Sequence, residues 1–408
     1  MTPQEKNPVP GTPSRPTRRR GIFLKFALLA VSVTISILLG EVILRVTQQD
    51  GNCHHRLFCE YHPLLGWQKK PDFTGLHTGP NRVYEVLESM NSKGIRGPEY
   101  PLDKPEREFR ILVLGDSFAE GYTVAFEDLF SEVLKANLGQ LSQDPIQVIN
   151  SGTGGYSTDQ ELLWYTSEGY KYGADLTVLM FCNNDMLFNN TDRYWHSFKP
   201  MFQLKDGELE LTGVPVPPPP SAADEEGEMQ TGGHAGSRWG SVKQFLNKYS
   251  YIYRNLRVVL LQNESTRSFF IKIDAAADDD EMSQPEYHRL SDWRKASTEE
   301  LRSAWEITEA LLVKLHEETQ ASGSELVVFA DPLYPEVART CISTCRSNEI
   351  RVIDPLIPYQ AESRRLRREG KQLTFDPFDI HWNEEGNRVV AEILEEYIVE
   401  HYPRLRAR

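Results

Sequence analysis

The sequence predicts an α/β protein, a three-layer α/β/α doubly wound parallel sheet preceded by one transmembrane helix. Three observations carry that expectation. Apolar runs at 109–114, 146–149, 176–181 and 325–330 are too short for helices and lack a polar alternation, as strands buried on both faces do. The segments between them largely repeat apolar residues at helical spacing, and alternating strands and helices favour a parallel sheet. Upstream of all of them, an apolar stretch over 21–46 follows Arg18-Arg19-Arg20.

Residues 1–20 are rich in Pro, Thr and basic side chains and are expected to be a disordered tail. The stretch 21–46 has an uninterrupted centre, 26–40, shorter than the roughly 20 residues a bilayer requires. Lys25 and Arg45 lie near its ends, where long cationic side chains reach the headgroups. A cleaved signal peptide shares the basic start and apolar stretch, but no Ala-x-Ala-like site follows Leu38-Leu39-Gly40, which favours a retained anchor. The basic tail then stays cytoplasmic, and the remainder is extracytoplasmic, in the periplasm or at the cell surface. Residues 47–105 read as a membrane-proximal collar with Tyr61, Trp67 and Phe73 among the turn residues Pro63, Gly66 and Pro71.

The main domain, 106–408, opens with the strand at 109–114. A helix over 128–138 follows, from Leu129, Phe130, Val133, Leu134 and Leu138, with Gly139 as a stop. After the strand at 146–149, Ser157 with Gln160 and Thr158 with Glu161 form overlapping capping boxes for a helix to about residue 172. The third strand is 176–181. An insertion over 186–296 then breaks the alternation; its proline-rich and acidic part, 213–240, is expected to be disordered, and 242–261 to be an amphipathic helix. A long helix over 298–321, a strand at 325–330, a short strand at 351–353 and a last helix bearing Val389, Val390, Ile393, Leu394 and Ile398 complete the domain.

At 408 residues, with 39% apolar and 25% charged side chains, the chain has a globular composition. Its net charge of −14 argues against a nucleic-acid partner. Residues 1–45 hold seven Lys or Arg against two Asp or Glu, so the acidity resides in the exported part. There is no Walker-type loop, Cys-x-x-Cys pair or His-Glu-x-x-His, and neither a metal nor a cofactor is expected. An exported domain can keep disulfides. Of five cysteines, Cys53 and Cys59 are near neighbours, as are Cys341 and Cys345, and each pair could close a small loop. Cys53-His54-His55 with Cys59 could hold a metal instead, but no second ligand cluster follows at zinc spacing.

In open α/β sheets, ligands bind beyond the carboxyl ends of the strands. Gly115-Asp116-Ser117 stands at such an end, which makes Ser117 a candidate nucleophile, although the same residues are ordinary turn chemistry. A serine hydroxyl needs an adjacent base, and the tetrahedral intermediate needs preorganised donors worth about 3–4 kcal/mol each. Later loops offer Gly155, Asn184, Asp379 and His381. Taken singly, these read as a loop glycine, a helix cap and surface residues at a helix start.

Taken together and in this order, they resemble the SGNH or GDSL hydrolase family of serine esterases and acyltransferases, over about 109–408 apart from the insertion. The resemblance implies a flavodoxin-like sheet, with Ser117 as nucleophile, His381 as general base and Asp379 orienting the imidazole. It implies an oxyanion hole from the Ser117 N–H, the Gly155 N–H and the Asn184 amide. Phe118 stands where many members have Leu, Cys182 where they have glycine, and Phe378 where they place the acid. Asp379, two residues before the histidine, is therefore taken as the acid, with Asp376 in reserve. The Asp379-x-His381-Trp382 arrangement is similar to the polysaccharide O-acetyltransferase branch of this fold. An α/β-hydrolase elbow would need Gly-x-Ser-x-Gly, and here Ala119 replaces the last glycine.

The function so implied is a membrane-anchored esterase that removes an acyl group, O-acetyl in the simplest case, from an envelope glycan through an acyl-Ser117 intermediate. Two alternatives are an O-acyltransferase fed by a membrane acyl-donor partner, and an inactive envelope scaffold or binding module. Trp195, Trp382 and the insertion are candidates for a sugar platform, set against ordinary aromatic core packing.

Overall fold

The computed structural model describes residues 18–47, 58–79, 83–194, 197–218, 297–376 and 378–406. They fall into two units, the first holding helix α1 (Arg18–Thr47) and the second everything described from residue 58 onward. The last three residues of the expected disordered tail are thus helical, and 1–17 lie outside the described residues. Nine large apolar side chains of α1, from Leu28 to Val42, are about half exposed. Among the described residues no helix is long and apolar enough to cross a membrane. The described part of the stretch 21–46 carries Lys25, Glu41, Ser32, Thr34 and Ser36 among its apolar residues.

In the second unit, the collar forms two antiparallel hairpins, β1 (Cys59–His62) with β2 (Gly66–Lys69), and β3 (Thr74–Thr78) with β4 (Glu85–Ser89). The main domain continues through β5 (Phe109–Gly115), α2 (Ser117–Glu120), α3 (Phe130–Leu141), β6 (Ile146–Asn150), α4 (Thr158–Ser167), β7 (Leu176–Phe181) and α5 (Asn183–Phe188). The described start of the insertion adds two small hairpins, β8 (Arg193–Tyr194) with β9 (Ser197–Phe198), and β10 (Met201–Lys205) with β11 (Glu208–Thr212). Of the stretch 213–240 expected to be disordered, residues 213–218 are ordered instead, because Val216 is buried and its N–H donates to the Pro63 carbonyl at 2.7 Å; the rest, and the helix expected over 242–261, lie outside the described residues. Then come α6 (Thr298–Ala321), β12 (Glu325–Ala330), α7 (Pro335–Ser347), β13 (Arg351–Ile353), α8 (Leu356–Arg368) and α9 (Glu384–His401).

The central sheet has five strands in the order β13-β12-β7-β5-β6, and every pairing is parallel. In chain order these strands run 2-1-3-4-5, so the winding reverses between β5 and β7. At such a switch point the helices diverge to opposite faces and leave a crevice beyond the strand ends. Strand side chains alternate between faces. Leu112, Leu114, Leu179, Phe181, Leu326 and Val328 meet α4, α6 and α7 on one side, where the collar's Leu65 and Trp67 join them. Ile111, Val113, Val178, Met180, Val327 and Phe329 meet α3, α8 and α9 on the other. Trimming one of the fully buried leucines to alanine costs about 2–5 kcal/mol, a large share of a domain's stability.

Several expectations are corrected. Ser157 precedes α4 but makes no cap hydrogen bond, because its hydroxyl donates to Asp159. Gln160 is buried and donates from Nε2 to the Leu65 carbonyl at 2.7 Å. The capping box forms instead at Ser297 and Glu300, at the start of α6. Cys341 and Cys345 do not close a loop: they lie one turn apart on the buried face of α7, and both are free thiols. Residues four apart on a helix hold their Cβ atoms about 5–6 Å apart, beyond the roughly 3.8 Å of a disulfide. Cys59 is likewise free and buried, and Cys53 lies outside the described residues. Trp382 is buried against Phe118 and Phe130 and offers no sugar platform; Trp195 lies outside the described residues.

Candidate active site

The β5 run ends at Gly115, where the chain turns sharply into α2. A Cβ at Gly115 would stand 2.6 Å from that of Ala119 and 3.0 Å from that of Met180, so only glycine lets α2 approach β5 and β7 this closely. Asp116 is buried and accepts the Phe118 N–H at 2.9 Å as the cap of α2. Burial raises its pKa, against the Phe118 N–H and the nearby His381, which favour the charge. Asp116 is thus a structural cap that presents Ser117 in the crevice.

Ser117 Oγ lies 2.7 Å from His381 Nε2, across 264 positions of sequence. His381 Nδ1 lies 2.5 Å from Asp379 Oδ1, which also accepts the His381 backbone N–H at 3.0 Å. Burial works against the Asp379 charge. The His381 hydrogen bonds and charge outweigh it, with help from the Tyr84 hydroxyl, and hold the carboxyl below its ordinary value. Asp376, the reserve acid, is exposed, and its backbone N–H reaches only Thr374 Oγ1. The imidazole is enclosed by Phe118, with ring centroids 4.5 Å apart, and by Tyr122, at 4.9 Å, whose hydroxyl lies 2.9 Å from Nδ1.

Two loops complete the crevice. After β6, residues Thr153 to Tyr156 make a β-turn closed by the Tyr156 N–H on the Thr153 carbonyl at 3.0 Å. Gly155 occupies its third position with φ +77°, the type II form that glycine accommodates without strain. A Cβ there would also strike the Tyr194 ring at 2.3 Å. The Gly154 N–H donates to Glu120 Oε2 on α2 and the Tyr156 N–H to the Thr153 carbonyl, whereas the Gly155 N–H has no hydrogen-bond partner among the described residues. After β7, Asn184 lies near the same turn: its Nδ2 stands 3.5 Å from the Tyr156 carbonyl, and its Oδ1 is buried without a partner among the described residues.

Cys182 follows β7 as a buried thiol that donates to Asp331 Oδ2 at 3.4 Å. Burial and the neighbouring Asp116, Asp331 and Asp185 carboxylates push its pKa well up, so it is no competing nucleophile. No group of three or more His, Cys, Asp or Glu side chains among the described residues is arranged to hold a metal ion.

The collar reaches the site at three places that the sequence did not reveal. Tyr84 donates to Asp379 Oδ2 at 2.8 Å. Trp67 donates from Nε1 to the Gly154 carbonyl at 3.1 Å. Lys69 pairs with Glu120 of α2, whose Oε2 accepts the Gly154 N–H at 2.5 Å. Burial disfavours the Lys69 charge, but Glu120 and Glu88 more than compensate and raise its pKa. Tyr122, five residues beyond Ser117, also lines the site, beyond what the sequence pattern singled out. An aromatic residue that close to a strand-end serine was the one available signal.

No family model matches this chain, and no curated protein matches it. Among solved structures, it is similar to a lipase/acylhydrolase from Enterococcus faecalis at 11% identity and a TM-score of 0.35, over 72% of this chain and 96% of that one. It is similar to an acetylxylan esterase from Geobacillus stearothermophilus at 11% identity and a TM-score of 0.35, over 74% of this chain and 97% of that one. A further acetyl xylan esterase shares 12% identity at a TM-score of 0.35, over 71% of this chain and the whole of that one.

Proposed function

We propose that this chain is a serine ester hydrolase of the SGNH type that works through an acyl-Ser117 intermediate. The observation that carries this reading is the unbroken line of contacts from Ser117 Oγ through His381 to Asp379, at the carboxyl ends of the strands flanking the switch point. In the first half-reaction, Ser117 Oγ attacks the ester carbonyl carbon and gives its proton to His381 Nε2. The carbonyl oxygen, now an oxyanion, is met by the Ser117 and Gly155 N–H groups and the Asn184 amide, each worth about 3–4 kcal/mol in the transition state. Collapse expels the alcohol, which takes the proton from His381. Water then attacks the acyl-serine by the same route and releases the acid. Asp379 holds the imidazole in the tautomer that accepts at Nε2 and stabilises its charged form.

The substrate class we assign is an O-acyl ester of an envelope glycan, O-acetyl in the simplest case. The support is the Asp379-x-His381-Trp382 arrangement. The test is a panel of aryl esters and acetylated glycans. Turnover and fluorophosphonate labelling that both vanish in Ser117→Ala are expected. Absence of labelling in the unaltered chain would favour the scaffold alternative. Transfer of acetyl to an oligosaccharide with little free acetate would favour the O-acyltransferase alternative, with a membrane partner as donor.

We place the protein at a membrane, with 21–46 as its anchor, residues 1–20 cytoplasmic and the catalytic unit extracytoplasmic. The support is a continuous helix of 30 residues, about 45 Å long, with exposed apolar side chains behind three arginines. Membrane fractionation tests this: the full chain is expected in the pellet after alkaline extraction, and a chain lacking residues 1–47 in the supernatant. Full-length protein released by alkali would exclude the anchor.

A further inference from the structure

We infer that Trp67 is a positioning residue for the oxyanion hole, acting through one peptide plane; this rests on the reading of Ser117 as nucleophile. The Gly154 carbonyl and the Gly155 N–H belong to the same peptide unit. A peptide is planar and trans, so its C=O and N–H point in opposite directions, and whatever fixes one fixes the other. This unit is the central peptide of the turn from Thr153 to Tyr156. Type I and type II turns differ chiefly by a flip of that central peptide, and glycines at both central positions leave either orientation sterically open. Without a further contact, the Gly155 N–H could therefore turn away from the crevice.

The Trp67 indole removes that freedom. Its Nε1 donates to the Gly154 carbonyl at 3.1 Å in a buried setting, which favours the orientation with Gly155 at φ +77°. The contact also polarises the peptide, because a carbonyl that accepts a hydrogen bond makes its own N–H a stronger donor. The preceding peptide is pinned as well, by Glu120 Oε2 on the Gly154 N–H, and Glu120 lies on the nucleophile's own helix. The indole is itself fixed: Tyr156 donates to the Trp67 carbonyl at 2.6 Å, and the Tyr156 and Tyr194 rings pack at 5.8 Å. Trp67 touches no reacting atom; it sets the direction and strength of a donor that does.

The test compares the full chain carrying Trp67→Phe with one carrying benzothienylalanine at position 67, which keeps the bicyclic shape and replaces only the N–H. Both are assayed on an aryl acetate and for affinity toward a boronic acid that mimics the tetrahedral intermediate. A fall in kcat of about tenfold in the benzothienyl variant, with KM within about twofold and boronate affinity reduced in parallel, is expected. A folded benzothienyl variant with unaltered kcat and boronate affinity would overturn the inference, whatever the behaviour of Trp67→Phe. A chain that shows no Ser117-dependent turnover before any change at position 67 would overturn the nucleophile reading and this inference with it.

Discussion

Tyr84 and Asp379 are joined by a 2.8 Å hydrogen bond across 295 positions of sequence, so the collar supplies a partner to the carboxylate that holds His381. The hydroxyl stabilises the charged carboxylate, and hydrogen bonds to charged groups are worth about 1.5–3 kcal/mol. Tyr84→Phe should lower kcat/KM about tenfold while leaving the fold intact. Steady-state kcat/KM and a thermal melt of the two proteins check both statements.

The acid is assigned by contact. Asp379→Asn should reduce kcat by about 10²–10⁴-fold, since the amide favours the wrong imidazole tautomer. Asp376→Asn should leave kcat within about twofold, as the exposed carboxylate serves no partner in the site. Steady-state kinetics of the pair would reverse the assignment if only the second change were damaging.

Asp331 gives a stability signature. Burial pushes its carboxyl up to about 7, against the Leu333 N–H and the Cys182 thiol. The folded state therefore holds this proton through a range, from about 4 to about 7, in which the unfolded chain has released it. Stability from this group is fully present below the unfolded value and lost as pH rises through the folded one. Asp331→Asn should thus melt higher than the unaltered protein at pH 8, with the difference shrinking toward pH 4. Thermal melts across that range test the sign.

The cysteines make a simple prediction. Cys59, Cys182, Cys341 and Cys345 are free, so a denatured, unreduced sample should show at least four reactive thiols. A reductant should leave the melting temperature unchanged. A count below four would restore a disulfide.

The parallel sheet was legible because its strands are buried on both faces and announce themselves as apolar runs. The five strands and the long helix Thr298–Ala321 lie where periodicity placed them. The residues Ser117, Asp379 and His381 were legible because each stands beside a strand end or helix start, where backbone geometry already narrows the options. Helix α7 was not legible: the spacing of Cys341 and Cys345 left a small disulfide loop open, whereas the two thiols lie one turn apart on its buried face. Trp67, Lys69 and Tyr84 carried no signal: each acts through a partner dozens to hundreds of positions away, and nothing local to a short hairpin strand records such a contact. Residues 47–105 read only as a membrane-proximal collar, whereas their described part from residue 58 onward lies in the same unit as the sheet, and Trp67 holds the turn at Gly154.

The distance in sequence between Ser117 and His381 has a consequence in time. Synthesis at about 5–20 residues per second takes roughly 13–50 s to cover the 264 positions between them. Throughout that interval the emerging chain carries Ser117 without the imidazole that faces it in the folded protein, so the contact between them can form only late in synthesis.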